Sequence, residues 1–279
     1  MSGPPGDGGA VAGPPPVCIS RAERAVFDAS SAAALDPGLR VYLTDLVRPS
    51  GLALREDLLA SGAGQSYGEM AEVLIGATVP ADQPVDLLML AYAVPDVSPE
   101  RATATYLSHC CPGQPMAFGI CDQGSVAAFT GLRLAAEYSD CRRVLLLVAE
   151  QAAIHYDPGD GPVPERHAAV ALLCDPAGPA RVETVREHAG VAPSQIAALL
   201  ADLAADVLVV GASLVQHIAG GTAEVHVAPA GQPCTGVWWE LAGGLAGWMA
   251  AGRRVVVADY DPALRYLAVA TLSGQPPHD

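Results

Sequence analysis

The segment with the clearest chemical potential spans residues 117–135, where Ser125 follows a Gln-Gly pair. A short strand over 118–121 is predicted to end there, and a helix is predicted from Ser125 to Tyr138, where small and apolar residues recur at helical spacing. A nucleophile at a helix N-terminus is favoured because backbone N–H groups and the helix dipole stabilise an anion. The alternative is that Ser125 only caps the helix, a common use of serine.

Cysteine and histidine are the other candidate chemical groups. Cys121 belongs to the predicted strand and is expected to be a buried thiol, although it lies close enough to Ser125 to be considered as a displaced nucleophile. Cys234 is expected to be unreactive because no neighbouring cation would lower its pKa. The cysteines form no Cys-x-x-Cys motif, so reduced thiols are favoured, and we expect neither a metal site nor a cofactor site. Among the histidines, His217 is the most favoured candidate for a base, and the others are expected to be solvated or structural.

Charge and hydropathy narrow the possible partners. The 279 residues include 30 acids and 15 bases, which gives a net charge of −15 that disfavours nucleic acids and anionic membranes. Every base is arginine, which excludes Schiff-base and P-loop lysine chemistry. No apolar run reaches the ~18 residues of a membrane span, and no secretory signal is recognised, so a cytoplasmic protein is expected.

Apolar runs alternate with helical patterns through most of the chain. Strands are predicted over 86–94, 118–121, 142–149, 168–174, 206–210, 254–258 and 266–272, and helices over 125–138, 193–205 and 235–251. This alternation predicts a mainly parallel sheet covered on both faces. Two successive sets of strands predict two layers, of which the second is shorter. The expected division is a tail (1–16), a first half (17–178), a second half (179–272) and an end segment (273–279).

The Ser125 segment resembles the nucleophile turn of the thiolase superfamily, in particular its ketoacyl synthase III and chalcone synthase branches. Those families carry a motif of the type Ala-Phe-Asp-(x)-Gly-Gln-Gly-Cys-Ser-Gly. Phe118 and the pair Gln123-Gly124 match it, Gly119 replaces the aspartate, and Ser125 falls on the catalytic cysteine. The resemblance extends over about residues 85–272 and implies an α/β fold of two βαβ-type halves, with mixed sheets stacked in αβαβα layers and the second half shortened.

The resemblance also marks two further active-site positions. Residues 206–213 are similar to the strand before the family's catalytic histidine, and the histidine position is occupied by Gly211, or by Ala212 if the match slips by one residue. Residues 231–234 are similar to the turn that carries the family's asparagine, and Gln232 occupies that position. The glycine-rich loop between the last two strands is replaced by residues 259–264. Condensation needs a thiolate and charge-stabilising side chains, so the set Ser/Gly/Gln indicates a degenerate site.

The degenerate set most resembles the small non-catalytic (PqsB-like) subunit of heterodimeric condensing enzymes, with matching stretches at 239–242 and 260–262. This implies a partner subunit in bacterial polyketide- or fatty-acid-like metabolism that pairs through residues 118–135 with a catalytic ketosynthase-like subunit or with a second copy. Acyl carrier protein or acyl-CoA would supply the acyl group. One alternative is an acyltransferase that uses Ser125. Another is a structural or regulatory homodimer without acyl chemistry.

Overall fold

A computed structural model describes residues 16–97, 102–157, 163–201, 203–218 and 221–274. The expected tail and end segment lie almost entirely outside these ranges. The last described strand continues to Gly274, slightly beyond the predicted boundary at residue 272.

In the described ranges, ten strands form one continuous sheet, and they fall into two sets with the same order. The strands are β1 (Cys18–Val26), β2 (Leu87–Ala91), β3 (Met116–Ile120), β4 (Val144–Glu150), β5 (Ala168–Cys174), β6 (Ala180–His188), β7 (Val207–Val210), β8 (Glu224–Val227), β9 (Val255–Asp261) and β10 (Tyr266–Gly274). The first set runs β3-β2-β4-β5-β1 and the second β8-β7-β9-β10-β6, and a short β1–β6 pairing joins them. The chain therefore repeats one topology.

The sheet is mixed, so the mainly parallel arrangement expected from strand–helix alternation is wrong. The parallel pairs are β2 with β3 and β4, and β7 with β8 and β9. The pairs β4–β5, β5–β1, β6–β10 and β9–β10 are antiparallel. Each set begins with helical crossovers and ends with a direct reversal of the chain, and a direct reversal produces an antiparallel pair. This mixed pattern agrees with the fold that the resemblance implies.

Helices separate and cover the two halves. They are α1 (Pro37–Val47), α2 (Glu56–Ser61), α3 (Tyr67–Thr78), α4 (Thr103–Cys110), α5 (Ala127–Glu137), α6 (Pro193–Ala201) and α7 (Gly236–Ala250). Helices α5 and α7 contact strands of both sets, whereas α3 and α4 pack on the first set. Three hydrophobic cores result: one around α5 and α7, one under α3 and α4, and one around Ile196 of α6. These cores define the layers αβαβα.

Most of the strands predicted from apolar runs are confirmed, with small changes at their ends. Helix α6 ends at Ala201, four residues earlier than predicted. The helix expected to start at Ser125 begins instead with a 3₁₀ turn, Gly124–Val126, and becomes α-helical at Ala127. Within the described ranges, every helix is too short or too polar to cross a bilayer.

Candidate functional site

The two central helices begin close to a common group of buried acids. The 3₁₀ turn before α5 carries Ser125, and Gln232 lies in the turn before α7. Strand β9 contacts the Ser125 turn and also the 3₁₀ segment Ala212–His217 that follows Gly211. The three positions marked by the motif are therefore arranged around the buried side chains of Glu150, Asp259 and Asp261, which we call the acid cluster.

Ser125 is held through its backbone and not through its hydroxyl. The Ser125 N–H donates to Asp261 Oδ2 at 3.0 Å, and the N–H of Leu264 donates to Asp261 Oδ1 at 2.9 Å. The buried Ser125 hydroxyl makes no hydrogen bond of good geometry with any described group, so the expectation that it caps the helix is wrong. Gly124 has φ +55°, and a Cβ atom there would collide with the Asp261 carboxylate. The turn therefore requires glycine.

The histidine position is occupied in space by an aspartate from another strand. A Cβ atom built on Gly211 would collide with Asp259 Oδ1, and Tyr260 N donates to the same oxygen at 2.8 Å. Burial, with a smaller contribution from the carboxylates of Asp261 and Glu150, raises the pKa of Asp259 to about 7. The Ser125 hydroxyl lies near enough to oppose part of that rise. A carboxyl group thus fills the place where a longer residue at 211 would extend.

The asparagine position is used for structure. Gln232 Nε2 donates to Glu150 Oε1 at 2.6 Å, and Gln232 Oε1 accepts from the Arg166 N–H at 2.9 Å. Glu150 also accepts from the N–H groups of Cys234 and Thr235, at 2.9 and 3.1 Å, and from the Thr235 hydroxyl. Burial raises the pKa of Glu150, and these four donors oppose the rise. The Glu150 carboxylate therefore anchors the start of α7.

This arrangement opposes the chemistry of acyl transfer. An oxyanion hole needs backbone N–H groups free to meet developing negative charge. Here the Ser125 N–H is already bonded to a carboxylate, and a second carboxyl from Asp259 stands beside the hydroxyl. Gly211 provides no base, and the Gln232 amide is committed to Glu150. Additional negative charge at Ser125 would meet repulsion where a condensing enzyme needs stabilisation.

The histidines do not supply the missing base in the part of the chain that the structure describes. His155 pairs with the Ala63 carbonyl at 2.7 Å, and His226 with Glu224, also at 2.7 Å. His167 accepts from the Ala152 N–H at 3.3 Å. His217, the favoured candidate, contacts Gln216 and lines a groove beside α6. His155, His167 and His226 therefore have partners other than Ser125, and His217 lies beside α6.

Cys121 is exposed, so the expectation that it is a buried strand thiol is wrong. Strand β3 ends at Ile120, and Cys121 lies just beyond it, lining a cleft of about 420 Å³ with Tyr92 and Asp122. Partial burial and the neighbouring Asp122 raise the pKa of the Cys121 thiol, whereas a hydrogen bond with Tyr92 lowers it. Cys234 is buried, and burial with nearby carboxylates raises its pKa strongly. Neither thiol is set up as a thiolate nucleophile.

The exposure of Cys121 predicts a single fast-reacting thiol. Of the seven cysteines, only Cys121 is exposed, while Cys110 and Cys141 are half-buried and the others are buried. Titration of the native protein with Ellman's reagent at pH 8 should show one equivalent of fast thiol, and Cys121→Ser should remove that phase. A fast phase that persists in Cys121→Ser and disappears in Cys110→Ser would contradict this assignment.

The acid cluster is the part of the site that sequence reasoning missed. Glu150 ends the buried strand β4, and Asp259 and Asp261 end the buried strand β9. Acids within otherwise apolar, fully buried strands are unusual, and this was the available signal. Among the described residues, no group of three or more histidine, cysteine or acidic side chains is arranged to hold a metal ion.

Comparison with solved structures identifies the fold. No family model and no curated protein matches the sequence. ChlB3, described as an acyltransferase, is similar with a TM-score of 0.63 and 16% identity, covering 94% of this chain and 99% of that one. AbyA1, a tetronic acid condensing enzyme, gives a TM-score of 0.64 and 17% identity, with 92% and 100% coverage.

A third similar structure is a cysteine-to-serine variant of OleA from Xanthomonas campestris, with bound lauric acid and lauroyl-CoA. Its TM-score is 0.61 at 14% identity, and the match covers 92% of this chain and 99% of that one. At these identities the likeness concerns the fold. The chain has the thiolase-like fold of condensing and acyl-transferring enzymes, as the nucleophile-turn motif implied.

Proposed function

We propose that this protein is a non-catalytic member of the thiolase-like condensing fold and acts as the partner subunit of a catalytic ketosynthase-like protein. The observation that carries the proposal is the bond between the Ser125 N–H and the Asp261 carboxylate. It occupies the donor that an acyl-enzyme would need for its oxyanion, and it places negative charge beside the hydroxyl. The acyl group would be delivered, on acyl carrier protein or CoA, to the catalytic partner.

All three positions of the degenerate set support the same conclusion. Asp261 occupies the N–H at Ser125, Asp259 fills the space at Gly211, and Glu150 holds Gln232. The acids that replace the catalytic geometry come from strands distant in sequence from the motifs. Restoring a cysteine by Ser125→Cys alone would therefore leave the site inactive.

The surface proposed for pairing is the edge of the sheet at β3. Among the strands that the structure describes, β3 is the first in the strand order and has a partner on one side only. Met116 is 49% exposed, and the Tyr138 ring, 36% exposed, packs against Phe118 with 6.0 Å between ring centroids. Unpaired backbone groups beside exposed apolar side chains favour addition of another strand.

The proposal predicts that the isolated protein forms no acyl-enzyme. Incubation with acetyl-CoA and with lauroyl-CoA, followed by intact-mass measurement, should give no adduct for the natural protein or for Ser125→Cys. In Ser125→Cys the thiol would still lie beside the Asp259 carboxyl, and the backbone N–H of residue 125 would still be bonded to Asp261 and so not free to bind an oxyanion. A catalytically intact condensing enzyme, acylated in parallel, controls for the quality of the thioesters.

The same measurement tests the alternative function, Ser125-dependent acyl transfer. That function is favoured by the closeness of the Ser125 hydroxyl to Asp259, whose pKa of about 7 would suit a proton acceptor. An adduct on the natural protein that is lost in Ser125→Ala would establish an acyltransferase and overturn the non-catalytic proposal.

The partner role has its own test. The protein should be co-expressed with ketosynthase-like proteins encoded in the same gene cluster, and condensation of acyl thioesters measured for each alone and for the pair. We expect activity that needs both chains and a stable complex that is weakened by Met116→Lys at the β3 edge. Full activity of the ketosynthase alone, with no complex formed, would contradict the partner role.

A further inference from the structure

A small recess of about 140 Å³ lies on the outer face of the second half, beside residues 203–204. Its floor is the sheet itself, where Val256 of β9 and Val269 of β10 belong to the apolar core around α6. Four polar side chains from neighbouring strands surround this floor: Thr184 and Arg186 of β6, Thr271 of β10, and Arg254 immediately before β9. We call this space the Arg186 recess.

The internal repeat shows that Thr271 is an unusual residue for its position. Val256 and Leu145 are equivalent, since they pair with the second residue of β7 and of β2, respectively. Val256 is paired with Thr271, and Leu145 with Leu173. Leu173 is 1% exposed and lies in the core under α3. The second half therefore has a hydroxyl where the first half has an apolar core residue.

The Thr271 hydroxyl faces the recess without a protein partner. Thr271 is 5% exposed, and its side chain makes no hydrogen bond with any group that the structure describes. A hydroxyl buried without a partner costs free energy, and buried polar atoms are normally satisfied. The recess is thus expected to hold a polar group that Thr271 contacts.

The two arginines approach the recess from opposite corners. Arg186 lies opposite Val269, one pair of residues beyond Thr271 on the side away from Arg254. The Arg186 guanidinium has neither a hydrogen bond nor an ion pair within the described ranges. Arg254 pairs with Glu183 at 2.8 Å. One cation of the recess is therefore uncompensated by protein groups in these ranges.

Glu183 owes its place to an irregularity in the sheet. The pairing of β6 with β10 passes from Thr184 to Val182 between consecutive residues of β10, so that Glu183 is the extra residue of a bulge. A bulge redirects a side chain relative to the regular alternation. The Glu183 carboxylate reaches Arg254 at the rim, and a ligand anion would compete with it for this guanidinium.

We propose that the Arg186 recess binds a phosphate group, either as free phosphate or as the monoester of a small molecule. Guanidinium groups recognise phosphate through charge-assisted hydrogen bonds, and the Thr184 and Thr271 hydroxyls add donors. Donors on opposite sides suit a tetrahedral anion, whose oxygens point in several directions, better than a planar carboxylate. The volume is below the ~300 Å³ at which drug-sized sites begin, and so fits a group of few atoms.

The net charge of the chain does not prevent this binding. The charge of −15 acts against anions at long range, but salt at ~0.15 M screens exposed charges beyond about 8 Å, so the local donors dominate. The inference is independent of the proposed partner role. The recess lies at the start of β9, whereas Asp259 and Asp261 end that strand, roughly 16 Å further along.

The test is isothermal titration calorimetry of the full chain with sodium phosphate at pH 7.5, at constant ionic strength set with sodium chloride. We expect saturable 1:1 binding, which Arg186→Gln should weaken at least fivefold by removing a charge-assisted contact. Arg21→Gln is the matched control. It removes an exposed arginine of β1, outside the recess, and should change affinity less than twofold.

Two further variants test the neighbours of the phosphate. Glu183→Gln should strengthen binding at least twofold, because the carboxylate that competes for Arg254 is removed. Thr271→Val should weaken binding about threefold through loss of one hydroxyl donor. It should not lower the stability of the free protein, since that hydroxyl has no partner to lose among the described groups.

Titration with glycerol 3-phosphate distinguishes the two sources of the phosphate group. Affinity equal to or higher than that of free phosphate supports a monoester ligand, and affinity more than fivefold lower supports free phosphate. Absence of saturable binding of both anions would overturn the proposal. So would equal weakening by Arg186→Gln and Arg21→Gln, which would show a general effect of charge, or weaker binding in Glu183→Gln.

Discussion

Glu150→Ala is expected to lower the free energy of unfolding by about 3–5 kcal/mol, the range for removing one partner of a buried charged network. The substitution leaves three buried donors without their acceptor: the N–H groups of Cys234 and Thr235 and the Thr235 hydroxyl. The Gln232 amide loses its contact with Glu150 and keeps those with Thr235 and the Arg166 carbonyl. Unpaired buried donors keep their desolvation cost. The two N–H groups also lie at the start of α7, where a negative charge is favoured by the helix dipole.

Urea unfolding followed by circular dichroism measures this loss. Glu137→Ala, an exposed substitution at the end of α5, is the control and should change stability by less than about 0.5 kcal/mol. In Glu150→Ala, hydrogen exchange should become faster in the first turn of α7 than the loss of global stability explains. The amides of β5 should slow or speed only as much as the change in global stability predicts. A loss below about 1 kcal/mol would show that the carboxylate does not anchor α7.

Buried strands with continuous apolar runs were predictable, because a short apolar run such as Val144–Glu150 is typical of a strand covered on both faces of a sheet. Strands β1 and β6 were missed although they lie in the middle of the sheet. Their sequences, Cys18–Val26 and Ala180–His188, alternate apolar and charged residues and are only partly buried. A search for continuous apolar runs does not detect this alternation of apolar and charged residues, although alternation with a period of two residues also indicates a strand.

The direction of the strands was not available from local sequence. Whether two strands run parallel depends on how the chain returns between them, and the long connection 151–167 between β4 and β5 gives no pattern that distinguishes a crossover from a reversal. The resemblance to the thiolase superfamily supplied this information because it implies a whole topology. The prediction that Cys121 is buried failed for a related reason. A shift of one residue at the end of a strand places a side chain either in the core or in a cleft, and local sequence does not fix strand ends that closely.

The three positions that the motif marks, Ser125, Gly211 and Gln232, lie around one buried cluster in the structure. The motif could not show what had replaced the missing side chains, since Asp261 contacts Ser125 across 136 positions of sequence. The glycines at 124 and 211 were one available indication, because each is a position where the carboxylate of another residue approaches the backbone. A second indication was the presence of acids in the buried strand Val255–Asp261. These acids are unusual only once the strand is recognised as buried.

The stability of the protein should depend on pH through Asp259. Its pKa is about 7 in the folded chain, raised by burial first and then by Asp261 and Glu150, against about 4 in an unfolded chain. Between these values the folded state holds a proton that the unfolded state has released. Stability from this group is therefore complete below about pH 4 and falls as the pH rises to about 7, by up to about 4 kcal/mol.

Asp259→Asn should remove this dependence, because an amide has the shape of a protonated carboxyl and does not titrate, and its oxygen can still accept from the Tyr260 N–H. The difference in unfolding free energy between Asp259→Asn and the natural protein should shift by about 2–3 kcal/mol in favour of the variant between pH 5 and pH 8. His155 and His167 titrate in both proteins and cancel in this difference. Exposed Asp82→Asn serves as the control and should give a pH-independent difference. Parallel pH profiles for Asp259→Asn and the natural protein would show that Asp259 is ionised throughout, and that the negative charge beside Ser125 is already tolerated at pH 5.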